Sequence, residues 1–122
     1  MAPVSQFENS LNEDIAFVVG SDTDVNIGWS DVYVPSEDAY LIGITIACKG
    51  TTGIQADLCI YDSVGPVRAF IVRGAPIPVG SSLNVIEDNK IVVKSGQKVQ
   101  VRCMTPGQEI DVIVSSVENV NN

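Results

Sequence analysis

Short apolar runs recur along the chain, and each stops at a cluster of Gly, Pro, Ser, Asp or Asn. No long window shows helical periodicity. The runs are rich in β-branched residues, which predicts strands near Ile15–Val19, Val25–Val34, Tyr40–Cys48, Gln55–Tyr61, Val67–Arg73, Leu83–Ile86, Lys90–Val93, Lys98–Cys103 and Ile110–Val117. Between them lie "GSDTD", "VPSEDA", "KGTTG", "DSVGP", "RGAPIPVGSS", "EDN", "KSG" and "TPGQE", residues that tolerate turn dihedrals or close local side-chain bonds.

Alternation sets the faces. Ile42, Ile44, Ile46 and Cys48 share one side of their run, and Ala56, Leu58 and Ile60 share another, with Gln55, Asp57 and Tyr61 opposite. Val99, Val101 and Cys103 are expected inward, with Lys98, Gln100 and Arg102 outward; Ile110, Val112 and Val114 form the inward set of the last run. One buried and one wet face, repeated in many short strands, predicts an all-β fold. The expected form is an antiparallel sandwich, jelly-roll or immunoglobulin-like, of about eight to nine short strands. No βαβ spacing occurs, so a parallel sheet is not expected.

The 122 residues suit one domain. Residues Met1–Asn12 fit no strand pattern and are read as an N-terminal arm, with the sandwich over 13–122. The stretch "MAPVSQFENSLNED" has no basic residue and no apolar core, so no secretory signal is expected, and no apolar run reaches membrane-spanning length.

Charge changes the picture more than composition does. The formal net charge is −8. Residues 1–40 hold Glu8, Glu13, Asp14, Asp22, Asp24, Asp31, Glu37 and Asp38 and no Lys or Arg, whereas residues 41–122 hold seven acids and seven bases. The first third therefore carries the whole imbalance. Nucleic acid and anionic membrane are not expected as partners, because both require a basic surface; a basic protein surface is a candidate partner, and solubility alone accounts for the charge equally well.

Candidate chemistry is sparse. Without histidine, no Ser-His-Asp or Cys-His machinery can be assembled. The three cysteines have no C-x-x-C spacing and are expected as free thiols, Cys48 and Cys103 facing inward and Cys59 to the opposite side, the one cysteine placed for exposure. Asp22, Asp24 and Asn26 have calcium-loop spacing, but Ile27 stands in the glycine place and Tyr33 in the place of the bidentate glutamate. A turn is the better account; no metal and no cofactor are expected. "GSSLN" lacks the lysine and the helix of a phosphate loop. Trp29, Tyr33, Tyr40 and Tyr61 offer aromatic surface for a sugar platform if their rings are exposed and coplanar.

The segment "RGAPIPVGSSLNVIEDNKIVVKSGQKVQVRCMTPGQEIDVIVSSVE" carries a Pro-x-Pro-x-Gly loop at Pro76, Pro78 and Gly80. A strand from Leu83, a Lys-led strand Lys90–Val93, a turn at Gly96 and strands through Val99, Val101, Val112 and Val114 follow, ending in Ser115, Ser116 and Glu118. This pattern resembles the small β-sandwich structural proteins of tailed bacteriophages, of the capsid decoration or cement type. Upstream, "YLIGITIACKGTTGIQADLCIYDSVGPVRAFIV" is similar to the central hairpins of that family, so the resemblance covers roughly residues 35–118. The chain departs from it at Gln97, where the family often has an acid, and at "CKG", where it often has Asn.

The resemblance implies a non-enzymatic virion protein, assembled in a host cytoplasm, that binds the capsid surface and stabilises the head lattice. The implied partners are the major capsid protein and further copies of the chain, as a homotrimer. The residues read as the docking set are Val4, Phe7 and Leu11 as apolar anchors, with Glu8, Glu13 and Asp14 as the charged part. A tail or head–neck component and a carbohydrate-binding module on the virion surface are the alternatives.

Overall fold

The computed structural model describes residues 6–16, 28–85, 91–105 and 108–118. Among them nine strands form two antiparallel sheets and there is no helix. In chain order these are β1 (Gln6–Ala16), β2 (Ser30–Tyr33), β3 (Ala39–Cys48), β4 (Ile54–Asp62), β5 (Val67–Ile77), β6 (Ser82–Val85), β7 (Ile91–Val93), β8 (Gln97–Cys103) and β9 (Glu109–Glu118).

One sheet runs β1-β9-β3-β6, with β7 also on β3; the other runs β2-β8-β4-β5. β6 pairs with Ile44–Ala47 and β7 with Ala39–Leu41, so the two occupy successive stretches of one edge of β3. Taken as one interrupted strand, they leave eight strands whose hydrogen-bonded neighbours are mostly distant in sequence. That connectivity is a jelly roll. The core lies between the sheets and includes Leu41, Ile44, Ile46, Leu58, Val99, Val101, Ile110, Val112 and Val114.

Alternation places β8 and β9 as expected, with Val99, Val101, Cys103, Ile110, Val112 and Val114 all inward and buried. β3 departs from it. The register shifts between Leu41 and Gly43, a bulge that inserts one residue. Before the bulge the odd positions Ala39 and Leu41 face inward; after it the even positions Ile44 and Ile46 do, and Ile42 is left 38% exposed. The uninterrupted inward row Ile42–Cys48 is thus broken at its first member.

The first strand is the larger correction. Residues 6–12, expected in an arm outside the sandwich, belong to β1, which runs antiparallel to β9 from Gln6↔Glu118 to Asn12↔Val112. β1 is an edge strand. Its backbone satisfies the hydrogen-bonding groups of β9, and its largely polar side chains need no continuous apolar row. Asn12 Nδ2 also donates to Val32 O at 2.9 Å, stitching β1 to β2 where the two sheets meet. Met1–Ser5 and the Asp22–Asn26 segment lie outside the described residues.

Turn chemistry joins the strands. Between β7 and β8, Gln97 N donates to Lys94 O at 2.9 Å, and Gly96, the third residue of the turn, has φ 94°, a dihedral that favours glycine. Between β4 and β5, Asp62 Oδ1 accepts from Val64 N at 2.9 Å. That bond and one from Gln97 hold the Asp62 carboxyl below its usual pKa.

Candidate docking face

The two outer faces of the sandwich differ sharply, and the difference locates the candidate site. On the β2-β8-β4-β5 sheet, side chains outside the core build a second, polar layer. Arg102 Nε donates to Asp57 Oδ2 at 3.0 Å, and Gly74 N, at a bulge where φ is 64°, donates to Asp57 Oδ1 at 2.6 Å. Both Asp57 and Arg102 are 2% exposed. The Arg102 guanidinium lies 4.5 Å from the centre of the Trp29 ring.

Arg68 stacks on Trp29 and Tyr61, 4.6 Å from each ring centre, and its Nη1 donates to Gln100 Oε1 and to Cys59 Sγ. Gln100 Nε2 in turn donates to Asp31 Oδ1 at 2.6 Å, and Lys98 Nζ lies 3.3 Å from Asp31 Oδ2. This face largely satisfies itself. It also overturns two expectations. Cys59 points away from the core, yet it is 0% exposed beneath this layer, and burial pushes its thiol pKa up despite Arg68. Nor do the four aromatics form a platform: Trp29 and Tyr61 stack with arginine, Tyr33 is in the core, and Tyr40 lies on the other sheet, in register with Val92 and Val117.

The β1-β9-β3 sheet presents the opposite character. Leu11 is 75% exposed beside its register partner Ile113 at 41%; Val92 at 45% and Ile42 at 38% extend the apolar area. The polar residues between them bond to each other: Ser115 Oγ donates to Asn9 Oδ1 at 2.7 Å, and Thr45 Oγ1 to Asn84 Oδ1 at 3.0 Å. Cross-strand pairs of this kind let the polar groups of this face satisfy one another. Charge gathers at one end, where Lys49 Nζ lies 3.4 Å from Asp111 Oδ1 and Glu13 is exposed. A depression of about 270 Å³ opens there, lined by Leu11, Asn12, Glu13, Asp111, Val112 and Ile113. The arrangement offers apolar contact area of the kind that a complementary surface can cover.

Of the residues expected to dock, Leu11 and Glu13 are both exposed on β1; Phe7 is in register with Val117, and Glu8 and Asp14 belong to the same strand. Val4 lies outside the described residues. Alternation did not single out Ile113, Val92 or Ile42. One signal was present: Ile110–Val117 is apolar at both parities, with Ile113 and Val117 set against Ile110, Val112 and Val114, which marks a strand with apolar groups on both faces.

No family model matches the chain, and no curated protein matches it by sequence. Solved structures do resemble it. A chain in the structure of infectious bursal disease virus Gx strain superposes with a TM-score of 0.56 at 7% identity, over 99% of this chain and 35% of that one. This chain therefore spans about a third of that viral chain's length. A chain in the acid-stable capsid structure of Helicobacter pylori bacteriophage KHP30 superposes with a TM-score of 0.52 at 8% identity, over 96% of this chain and 89% of that one. At such identities the likeness is one of fold: the protein is a two-sheet β-sandwich of a kind found in virus particles.

Proposed function

We propose that this protein is a structural component of a virus particle, and within that class a capsid decoration protein that binds and stabilises a phage head lattice. The observation that carries the reading is the nearly end-to-end match of the fold to a chain in a bacteriophage capsid structure. The contrast between the two outer faces supports it, since a subunit laid on a lattice needs one face that docks and one that meets solvent. The docking face is the β1-β9-β3 sheet, with Ile113 on the inner strand β9, Leu11 beside it on the edge strand β1, and the major capsid protein as partner. The polar layer around Arg68 and Trp29 faces outward. The protein uses no cofactor and catalyses no reaction; it works as a homo-oligomer, a trimer, on the capsid surface.

The test is cosedimentation of the purified protein with phage heads that lack it. Leu11→Asp and Ile113→Asp place a carboxylate on the apolar face without touching the core, so each should weaken coating by about tenfold or more while the free protein melts normally. Undiminished coating by both variants, or immunogold labelling confined to tails, rejects the decoration reading.

A further inference from the structure

The sandwich has two lateral edges, and they carry opposite charge. β1 and β2 end their sheets on one side, and β5 ends the β2-β8-β4-β5 sheet on the other. β1 and β5, 11 residues each, are each hydrogen-bonded to a single neighbouring strand among the described residues. Long edges of this kind invite association with another chain. The β1 and β2 segments hold Glu8, Glu13, Asp14 and Asp31 and no base, whereas β5 holds Arg68 and Arg73 and no acid.

Apolar groups accompany the charges on both edges. Between β1 and β2 runs a groove of about 430 Å³, where Leu11 and Val34 are exposed above Val32 and Asn12, with Asp31 and Glu118 on its walls. On the β5 side Val67 and the turn residue Val64 are exposed. The end of β5 is blunted by the Gly74 bulge and by Pro76, which has no N–H to donate, so the usable part is Val67–Arg73.

We infer that a second copy of this chain packs the Val67–Arg73 edge of its β5 against the β1/β2 groove, head to tail. The occupant is another copy because both complementary surfaces belong to one chain and lie on opposite sides of it, so the same contact repeats from subunit to subunit. A two-fold contact between like edges would oppose acid to acid or arginine to arginine. Arg68 is held in place by Gln100, Tyr61 and Trp29, while Arg73, exposed and lying 4.9 Å over the Phe70 ring, supplies the accessible charge. Glu13 is its exposed counterpart on β1. A repeating contact of this type closes into a ring where the rotation per subunit allows, and otherwise runs on as a filament. It takes Leu11 from the β1-β9-β3 face but leaves Ile113, Val92 and Ile42 open, and it stands whether or not the protein belongs to a virion.

Sedimentation velocity of the full chain over a concentration series, at low and high salt, tests the inference. The wild type should self-associate, less so at high salt because exposed charges are screened beyond roughly 8 Å at physiological ionic strength. Arg73→Glu and Glu13→Arg should each raise the dissociation constant by about tenfold, and the double variant, which restores opposite charge with the signs exchanged, should recover assembly. Circular dichroism confirms that the variants are folded. A wild type that stays monomeric across the series, single variants that assemble as the wild type does, or a double variant no better than the singles would each overturn the inference.

Discussion

Replacing Asp57 by alanine should destabilise the fold more than any other loss of a single ion pair described above. Asp57 sits on the side of β4 away from the core, where an exposed carboxylate would be expected, yet it is 2% exposed. It accepts from Arg102 Nε at 3.0 Å and from Gly74 N at 2.6 Å, and Trp29 lies across Arg102. Its removal takes the carboxylate from a buried guanidinium and the acceptor from the bulge N–H. Breaking a buried pair on one side costs about 3–5 kcal/mol, because the surviving charge loses its partner without regaining water.

For a chain of this length, that corresponds to a fall of about 10–20 °C in the thermal midpoint. Urea unfolding followed by tryptophan fluorescence suits the measurement, since Trp29 reports on this layer directly. The control is Lys49→Ala, which breaks the part-exposed pair with Asp111 and should cost no more than about 1 kcal/mol. The double variant Asp57→Leu/Arg102→Met removes both charges together and should recover most of the loss. A cost for Asp57→Ala no larger than that of the Lys49 control would refute the claim that the outer layer of this sheet is a sealed, paired structure.

Two further outcomes follow from the same structure. Deleting residues 1–12 removes most of β1 and the Asn12–Val32 bond, so the thermal midpoint of the isolated domain should fall by about 4–8 °C, the equivalent of roughly 1–2 kcal/mol; an unchanged midpoint would return these residues to an arm outside the fold. All three cysteines are free, and burial pushes the thiols of Cys59 and Cys103 above their ordinary pKa, so the reactive thiolate is scarce at neutral pH. Native protein should therefore alkylate first at the part-exposed Cys48, and the other two should react only in denaturant; fast native modification of Cys59, located by mass spectrometry, would show that its cover is open.

The class of fold was legible because period-two alternation survives wherever one strand face is buried and the pleat is regular, as in β8 and β9. It failed at three places for three physical reasons. A bulge in β3 shifts parity in mid-strand, so Ile42 leaves the row that Ile44 and Ile46 keep. β1 is held by backbone bonds at an edge, and a polar segment such as "QFENSLNED" can serve there without an apolar row. Asp57, Cys59, Gln100 and Arg102 have the outward parity that was read for them, but a second layer buries them. That layer brings Trp29, Arg68 and Arg102 together from positions far apart in the chain, which no local pattern records. The candidate docking face was legible in part. Leu11 stood out as an isolated apolar residue among polar ones, whereas Ile113 and Val92 join it only once the register of β9 and β7 is known.

The size of the face bears on how the two proposed contacts work together. Four strands about 4.8 Å apart and a central strand of 10 residues rising about 3.4 Å each give a plan area of roughly 650 Å². A stable, specific interface takes about 800 Å² from each partner. One subunit laid on a lattice by this face alone would therefore dissociate readily, even with Leu11 and Ile113 well seated. Subunits joined edge to edge change the arithmetic. Once one face has docked, its neighbours are held at high local concentration over their own sites, and overall affinity rises without any new contact to the lattice. On the proposed assembly the charged edges and the apolar face would have separate tasks: the edges would set how many faces are presented together, and each face would supply a weak contact that becomes strong through number. A jelly roll suits that division, because Ile113, Ile42 and Val92 lie outside the β1/β2 groove and stay open on the sheet face when the edges are joined.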